Sequence, residues 1–423
     1  MNWDVVVIGA GAAGLLAAIR AAENGRSVLL IEKNPRPGVK ILMSGGTRCN
    51  LTHATDARGI VGAFGRPGRF LHSALAALGP GELVQLVEAE GVATKIEDTG
   101  KIFPVSNRAA DVLAAFQRRL ERSGATMKVG DPVLSIDRSA IGFVLRTAAG
   151  ELTADRIIIT TGGLSYPGCG TTGDGYAWAK QLGHTIVTPR PALTPLTTSS
   201  AWVQELRGLT MPDTDVRIVE RDSRISAATK LRPLAQQRGS FLFTHFGLSG
   251  PAVLDVSRAV TSHSRPDSLD LVCDFLPHVS ADEISMVLQR ASTAAGKQQV
   301  SSLLTNWLPR RLVESLVAQA ELTGDRRAAE VSRRDRERLI ASVKQLAIPL
   351  TGALGYQKAE VTAGGVSLNE VDSRTMQSQL VPGLFFAGEV LDLDGPIGGY
   401  NFQAAFSTGW LAGDAASQAR REE

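Results

Sequence analysis

An α/β fold built on a parallel sheet, with a mostly β region inserted into it, is what this sequence predicts, on three observations. The first is Asp4–Ile8, a short β-branched run, followed by a glycine turn at Gly9–Gly14, helical spacing over Leu15–Asn24 and a second apolar run at Ser27–Ile31. Strand, helix and strand within about 30 residues is the size of a βαβ unit. The second comes late in the chain, where Leu384–Ala387 reads as a buried strand leading through Gly388-Glu389 and Gly398-Gly399 into a helix over Gln403–Ala416. The third lies between them. Past a linker marked by Pro189, Pro191 and Pro195 come short strand-like runs at Val216–Glu220, Gly239–Thr244 and Leu269–Phe275, the spacing of a small barrel or sandwich.

The remaining elements follow from periodicity. Helical stretches are expected at Arg69–Gly91 and Ala109–Ser123, a buried strand at Arg156–Thr160, helices with few glycines over Ala281–Lys344, and strands again at Ala359–Val366 and Gly383–Ala387. A chain of 423 residues is too long for one simple core. The expected division is residues 1–190 with 358–423 as a nucleotide-binding domain, 191–276 with 345–357 as a barrel-like insert, and 277–344 as a small helical insert.

Apolar residues at 43% and charged residues at 21% are those of an ordinary globular protein. The 43 glycines exceed the usual share of roughly 7% and cluster in motifs, so they mark tight turns. A net charge of +3, from 45 basic and 42 acidic residues, argues neither for nor against a polyanionic partner. Cys49, Cys169 and Cys273 are far apart, which speaks against a disulfide framework, a zinc site and a dithiol redox pair. Val5–Ile19 imitates a signal-peptide core, but Asp4 precedes it without a basic segment, and no run reaches the ~18 apolar residues of a membrane span. A cytoplasmic protein without a membrane or metal partner is expected.

Gly9-Ala10-Gly11-Ala12-Ala13-Gly14 is a G-x-G-x-x-G fingerprint between a strand and a helix. Gly9 permits the turn, Gly11 lets backbone approach a pyrophosphate, and Gly14 lets helix and strand pack closely. The helix N-terminus offers amide donors and partial positive charge to the phosphates, and Glu32, ending the second strand, can accept ribose hydroxyls. The fingerprint does not distinguish FAD from NAD. The late strand with Gly388-Glu389 and the glycine-started helix at Gly399–Gln403 decide for FAD, which is longer and needs a second segment for its ribitol and isoalloxazine. That helix start could also stabilise negative charge on the reduced ring.

Five segments resemble the bacterial flavoprotein family that includes aminoacetone oxidase and a bile-acid dehydro-intermediate reductase: Gly38–Thr52, Thr161–Pro167, Gly170–Gly175, Phe243–Pro251, and Thr362–Val366 running on to Gly388–Asp392. Thr47 stands where that family usually has a third glycine. The resemblance implies a Rossmann-like FAD-binding domain with an inserted β-barrel-like domain and a small helical insert. It implies Ser44, Gly45, Arg48, Cys49 and Asn50 along the pyrophosphate and flavin, and Gly162 and Gly163 on the adenosine side. Gly388, Glu389, Gly399, Tyr400, Asn401, Phe402 and Gln403 would hold the ribitol and pyrimidine, and backbone near Val133 the adenine. Ala12, Ala13, Lys33, Lys40 and Thr161 complete the expected cofactor set.

His245, in a Thr-His-Phe-Gly-Leu-Ser-Gly-Pro loop, is the candidate acid, base or substrate anchor, against the alternative of a histidine satisfied within its loop. Cys49 reads as a packing residue and Asp392 and Asp394 as loop-shaping acids. The arginine-rich stretch Arg326–Arg338 has acids interleaved at helical spacing, so a solvated ion-paired face is expected and nucleic-acid binding is not. The expected activity is flavin-dependent redox chemistry on a small organic substrate. It is read first as NAD(P)H-dependent reduction of an activated C=C bond, with an amine oxidase or a non-catalytic redox sensor as alternatives.

Overall fold

Val5, Val6, Val7 and Ile8 are β-branched and inaccessible on both faces, which places β1 (Asn2–Ile8) at the centre of a covered parallel sheet. It is the first strand of a computed structural model that describes residues 2–221, 232–294 and 296–418. The chain divides into two compact units, Met1–Pro191 with Ala359–Glu423, and Ala192–Lys358.

In the first unit, β1 leads into α1 (Ala12–Glu23), β2 (Val28–Glu32) and α2 (Val39–Thr47). Further on come α3 (Ala109–Ser123), β3 (Thr126–Val129), β4 (Val133–Arg138), β5 (Phe143–Thr147), β6 (Gly150–Ile159), α4 (Asp174–Gln181) and β7 (Ile186–Ala192). After the second unit the chain returns as β8 (Val361–Val366), β9 (Leu384–Phe386) and α5 (Tyr400–Ser417). The sheet runs β3-β2-β1-β6-β5-β4, and β9 also pairs with β6. The β1–β2, β1–β6, β2–β3 and β6–β9 pairs are parallel, while β5 pairs antiparallel with β4 and β6. β6 is therefore the hub: its second half, Ile157–Ile159, is fully buried between β1 and β9.

The first and last helices pack along a stripe of small residues. A Cβ on Gly409 would lie 2.2 Å from the Ala13 carbonyl oxygen, and one on Gly413 would lie 2.3 Å from that of Ala17. Backbone touches backbone there. At the outer end Arg20 pairs with Asp414 at 2.6 Å and covers the Trp410 ring, and Arg26 Nε donates to the Ser417 carbonyl at 2.7 Å.

Two local expectations change. The helix expected over Arg69–Gly91 is broken into a 3-10 turn (Arg66–Leu71) and two helices (His72–Ala77 and Pro80–Ala89). Pro80 cannot supply the N–H of a helix interior, so it starts a new helix at its first position. The prolines at 189 and 191 lie in β7, which among the described residues pairs with β8 in a two-stranded sheet, where an edge position spares proline from donating.

The second unit holds a seven-stranded antiparallel sheet. Its end strands, Leu346–Pro349 and Gly352–Ala353, are separated by two residues, so the sheet must curl until its edges meet. The helices Ala281–Ala294, Arg310–Gln319 and Arg333–Lys344 bury Ile284, Leu288, Leu312, Leu316, Leu339 and Val343 in the same core as Val216, Ile218, Phe241 and Leu271 of the sheet. The helical segment thus shares one core with the sheet. On its surface Arg333 pairs with Glu337 at 3.0 Å and Arg338 with Asp335 at 2.7 Å. Among the described residues no single helix is long and apolar enough to cross a membrane.

The α1–α5 contact makes a test of opposite signs. Gly409→Ala and Gly413→Ala should each lower the unfolding free energy by about 1–3 kcal/mol, because a methyl has no space between the two backbones. Gly81→Ala, on the helix surface with nothing near its added Cβ, should raise it by about 0.5–1 kcal/mol. Urea denaturation of the three variants reads the difference directly.

Candidate functional site

Parallel pairing brings strand ends to one level, and this register gathers the motifs of distant segments. Ile8 is opposite Ile31 on one side and Ile159 on the other, and Ile159 is opposite Phe386. The residues that follow are Gly9, Glu32, Thr160 and Ala387. Backbone bonds carry the alignment one step on: Gly9 N–H donates to Ile31 O at 2.8 Å, Thr160 N–H to Ile8 O at 3.0 Å and Ala387 N–H to Ile159 O at 3.1 Å. The crevice beyond such carboxyl ends is where open α/β sheets bind ligands.

The three fingerprint glycines answer to different constraints. At Gly9, with φ +104°, a Cβ would lie 2.8 Å from Thr160 O. At Gly14 it would lie 1.8 Å from Gly9 O and 2.6 Å from Thr160 Oγ1, so α1 can leave the strand at this angle only over a glycine. At Gly11 a Cβ would meet no atom within 4 Å. That space lies at the N-cap of α1, which has no capping side chain. The first-turn amides of Ala12, Ala13 and Gly14 have no acceptor within the helix. A diphosphate fits this cradle.

Glu32 is buried and holds the turn as well as facing the crevice. Its Oε2 accepts from Ala10 N–H at 2.8 Å and its Oε1 from Asn34 N–H at 2.9 Å, which leaves each oxygen a further lone pair for a ribose hydroxyl. Lys33 is paired with Asp174 at the start of α4. Val133 is buried at the start of β4, opposite Thr147. Thr161 Oγ1 is buried without a hydrogen-bond partner beside Gly162, whose φ is +72°.

The end of α2 departs from helix geometry. Ser44 is extended, and Gly45, Gly46, Thr47 and Cys49 all have φ between +56° and +70°. Thr47 is therefore a side chain on backbone that favours glycine, the physical content of its departure from the family pattern. Ser44 Oγ donates to Ile41 O at 2.8 Å. Arg48 pairs with Glu97 at 2.6 Å and lies 4.0 Å over the Phe103 ring, so its guanidinium is engaged within the protein. Burial pushes the Cys49 thiol up to about 12, which leaves it an inert packing group. The Asn50 amide bridges Thr52 O at 3.1 Å and Gly399 N–H at 3.0 Å, tying this loop to the start of α5.

Lys40 and Glu389 form an ion pair, and the other Glu389 oxygen accepts from Thr362 N–H at 3.0 Å. A Cβ on Gly163 would meet Thr362 Oγ1 at 2.4 Å, so the four segments lie in contact. Gly388 N–H donates to Thr408 Oγ1 in α5 at 3.0 Å. The α5 N-cap is Gly399, φ +93°, again without a capping side chain, so the first-turn amides have no partner within the helix. Tyr400 stacks on His53 at 4.7 Å, and Phe402 packs on Phe406. Asn401 bonds back to Gly395, and the buried Gln403 amide donates to Leu78 O and Ser407 Oγ. Those two side chains point into the protein, so what Asn401 and Gln403 offer the crevice is backbone.

Three residues were not singled out from the sequence: Tyr166, Glu360 and Thr362. Tyr166 and Thr362 belong to motifs visible as strings and Glu360 to the strand-like run Ala359–Val366, but no spacing joins residue 166 to residue 360. Thr362 Oγ1 accepts from the N–H groups of Leu164 and Ser165, at 2.8 and 3.1 Å, and Tyr166 Oη donates to Glu360 Oε1 at 3.4 Å. His245 lies in the second unit on the exposed turn between the strands Ala235–Phe243 and Gly247–Ser249, its ring edge-on to Phe246 at 4.8 Å. Among the described residues no cluster of His, Cys, Asp and Glu is placed to hold a metal ion.

Residues 3–415 match the family model of the HI0933-like protein Rossmann domain. The chain belongs to this family. It is a flavin-dependent oxidoreductase. A ribosomal RNA dihydrouridine synthase of Escherichia coli (strain K12) is 35% identical, over 97% of this chain and 96% of that one. A 3-dehydro-bile acid delta(4,6)-reductase of Clostridium scindens is 32% identical, over 97% and 98%. Among solved structures, the 3-ketosteroid delta1-dehydrogenase of Sterolibacterium denitrificans shares the fold at a TM-score of 0.53 and 14% identity, over 98% of this chain and 99% of that one.

For this HI0933-like flavoenzyme, Gly11 and Gly14 separate binding from folding. Gly11→Ala should leave apoprotein stability within about 0.5 kcal/mol of the parent, yet weaken FAD at least tenfold, an estimate from a methyl intruding on the close backbone approach to a pyrophosphate. Gly14→Ala should destabilise the apoprotein itself by about 1–3 kcal/mol. Glu32→Ala strips two buried N–H groups of their acceptor as well as a ribose contact. It should cost about 1–3 kcal/mol in the apoprotein and a further ten- to hundredfold in FAD affinity. Denaturation of apoprotein and fluorescence titration with FAD measure the two quantities separately.

Proposed function

We propose that this enzyme reduces a C=C bond conjugated to a carbonyl, with NAD(P)H as electron donor. The observation that carries this reading is the pair of full-length relatives whose names describe one reaction on two scaffolds. Dihydrouridine is uridine with the ring double bond beside its carbonyl saturated, and a delta(4,6)-reductase of a 3-oxo steroid saturates the same kind of bond. FAD supplies the two-electron hydride chemistry. The chain's own residues orient it: the α1 amides and Gly11 toward the diphosphate, Glu32 toward the ribose, and the α5 amides toward negative charge on the reduced ring. Only one dinucleotide fingerprint is present in the sequence, and FAD accounts for it, so the nicotinamide would visit the flavin face and leave.

For the acceptor, a uracil ring in ribosomal RNA is our first candidate, because relatives from two organisms, at 35% and 32% identity over nearly their whole length, carry that name. This departs from the sequence reading, which expected a small organic substrate and, from the ion-paired spacing of Arg326–Arg338, no nucleic-acid binding. A base extruded from its stack presents the reactive site with a unit of small-molecule size, and a net charge of +3 left the partner open.

The test is anaerobic. Purified enzyme is mixed with NADH or NADPH, then with unmodified ribosomal RNA transcribed in vitro or with a steroidal 4,6-dien-3-one. Flavin absorbance is followed, along with dihydrouridine or reduced steroid. Reduction by nicotinamide and reoxidation by one of these acceptors is the expected result. Reduction by an amine, with stoichiometric peroxide once oxygen is admitted, would make the protein an oxidase instead. A flavin that no donor reduces would leave the sensor reading.

A further inference from the structure

We infer that Tyr166 is the proton donor of this reaction, with Glu360 behind it as the group that restores its proton. The inference rests on the reductase reading above and assigns a chemical role to residues that the cofactor contacts do not use. Tyr166 follows Gly162-Gly163 past the carboxyl end of β6, and Glu360 immediately precedes β8. Thr362 binds the two segments together through its Oγ1, which takes the N–H groups of Leu164 and Ser165, and through its N–H, which reaches Glu389. The pair is thus anchored to the same network as Lys40 and Glu389, on the crevice side of the sheet.

Two features separate this pair from an ordinary surface contact. Tyr166 has φ +53°, a left-handed conformation that a bulky residue adopts only where its surroundings compel it, and Thr171 Oγ1 donates to its carbonyl at 3.0 Å. Glu360 is held among charges of both signs. It is faced by Tyr166 from the β6 loop, by Lys40 from α2 and by Glu389 from the segment after β9. Burial outweighs the Lys40 ammonium, raising the Glu360 carboxyl above the usual range, and burial with the neighbouring Glu360 charge pushes the Tyr166 hydroxyl up to about 12. The Tyr166 hydroxyl therefore carries its proton under neutral conditions, and the Glu360 carboxyl holds a proton to higher pH than an exposed glutamate does.

Reduction of a conjugated C=C bond needs such a group. FAD, bound and reduced, would supply the hydride for the carbon remote from the carbonyl. The π electrons then form a bond from the carbon next to the carbonyl to the Tyr166 hydroxyl proton. The phenolate left behind takes the Glu360 proton, and Glu360 takes one from solvent, so two electrons and two protons are added in all. As the required form of Glu360 is the acid, the step should be fast below its raised pKa and slow above it.

The experiment uses the FAD-loaded enzyme, photoreduced without oxygen and mixed with whichever of the ribosomal RNA transcript and the steroidal dienone reoxidises the parent. Y166F should bind and photoreduce FAD as the parent does, but pass hydride to the acceptor 10²–10⁴ times more slowly, the worth of a general acid. E360Q, which keeps the shape and a neutral group, should slow reoxidation and flatten its alkaline decline. A second readout needs no turnover: tyrosinate absorbance at 295 nm in apoprotein, with circular dichroism to follow the fold. The parent has four tyrosines; Y166F should remove a midpoint raised to about 12, and E360Q should move that midpoint down. Parental reoxidation of Y166F, or an unmoved tyrosine titration in E360Q, would overturn the assignment alone. A parent that neither acceptor reoxidises overturns the reductase reading, and this inference falls with it.

Discussion

The approach of α1 and α5 to backbone contact is the constraint on which the site depends. Gly409 and Gly413 press against the carbonyls of Ala13 and Ala17, so at these two points helices nearly four hundred residues apart in sequence have no side chain between them. Both begin at a glycine without a capping side chain, Gly11 and Gly399, so in both the first-turn amides have no acceptor within their own helix. Fixing the crossing fixes the distance between two positive helix ends. One is suited to a diphosphate and the other to the charged end of a flavin ring.

Around that crossing the sheet acts as a ruler. Parallel register leaves no freedom in where β1, β2, β6 and β9 end relative to one another, because each pairs residue by residue with its neighbour. Polar side chains that would be costly alone are satisfied by the same alignment. Glu32 takes two backbone N–H groups, Glu389 takes Thr362 and Lys40, and Asn50 joins Thr52 to Gly399. The site is held by hydrogen bonds between segments as well as within them, a preorganised cradle.

A scaffold of this kind leaves its chemistry to a few residues. The two full-length relatives differ in what their names say they act on, while each is similar to this chain over nearly its whole length. The unit Ala192–Lys358 is a compact body of its own, with a curled sheet and helices that share one core.

Much of the fold was readable before any coordinate. β1, α1 and β2 lie where β-branched runs and glycine punctuation put them, Ala109–Ser123 is a helix over the very residues whose spacing implied it, and β9 and α5 frame Gly388-Glu389. These elements are local: each is specified by periodicity and turn chemistry within a few residues. What failed locally failed for a local reason, as at Pro80, where a donor is missing, or at Pro189 and Pro191, where an edge strand tolerates what a linker also would.

The sequence by itself determined the α/β class, the two-segment FAD fingerprint and the residue types at its glycines, because each is a property of a short stretch of chain. Only the tertiary structure decided that Arg48 is engaged by Glu97, that Asn401 and Gln403 turn their side chains inward, and that the helical segment shares the sheet's core. Only it brought Tyr166 to Glu360 and Lys40 to Glu389. Those pairings join residues hundreds of positions apart, and no spacing rule reaches them. They exist because strand register and a glycine-on-carbonyl helix crossing bring distant loops to the same edge of one sheet.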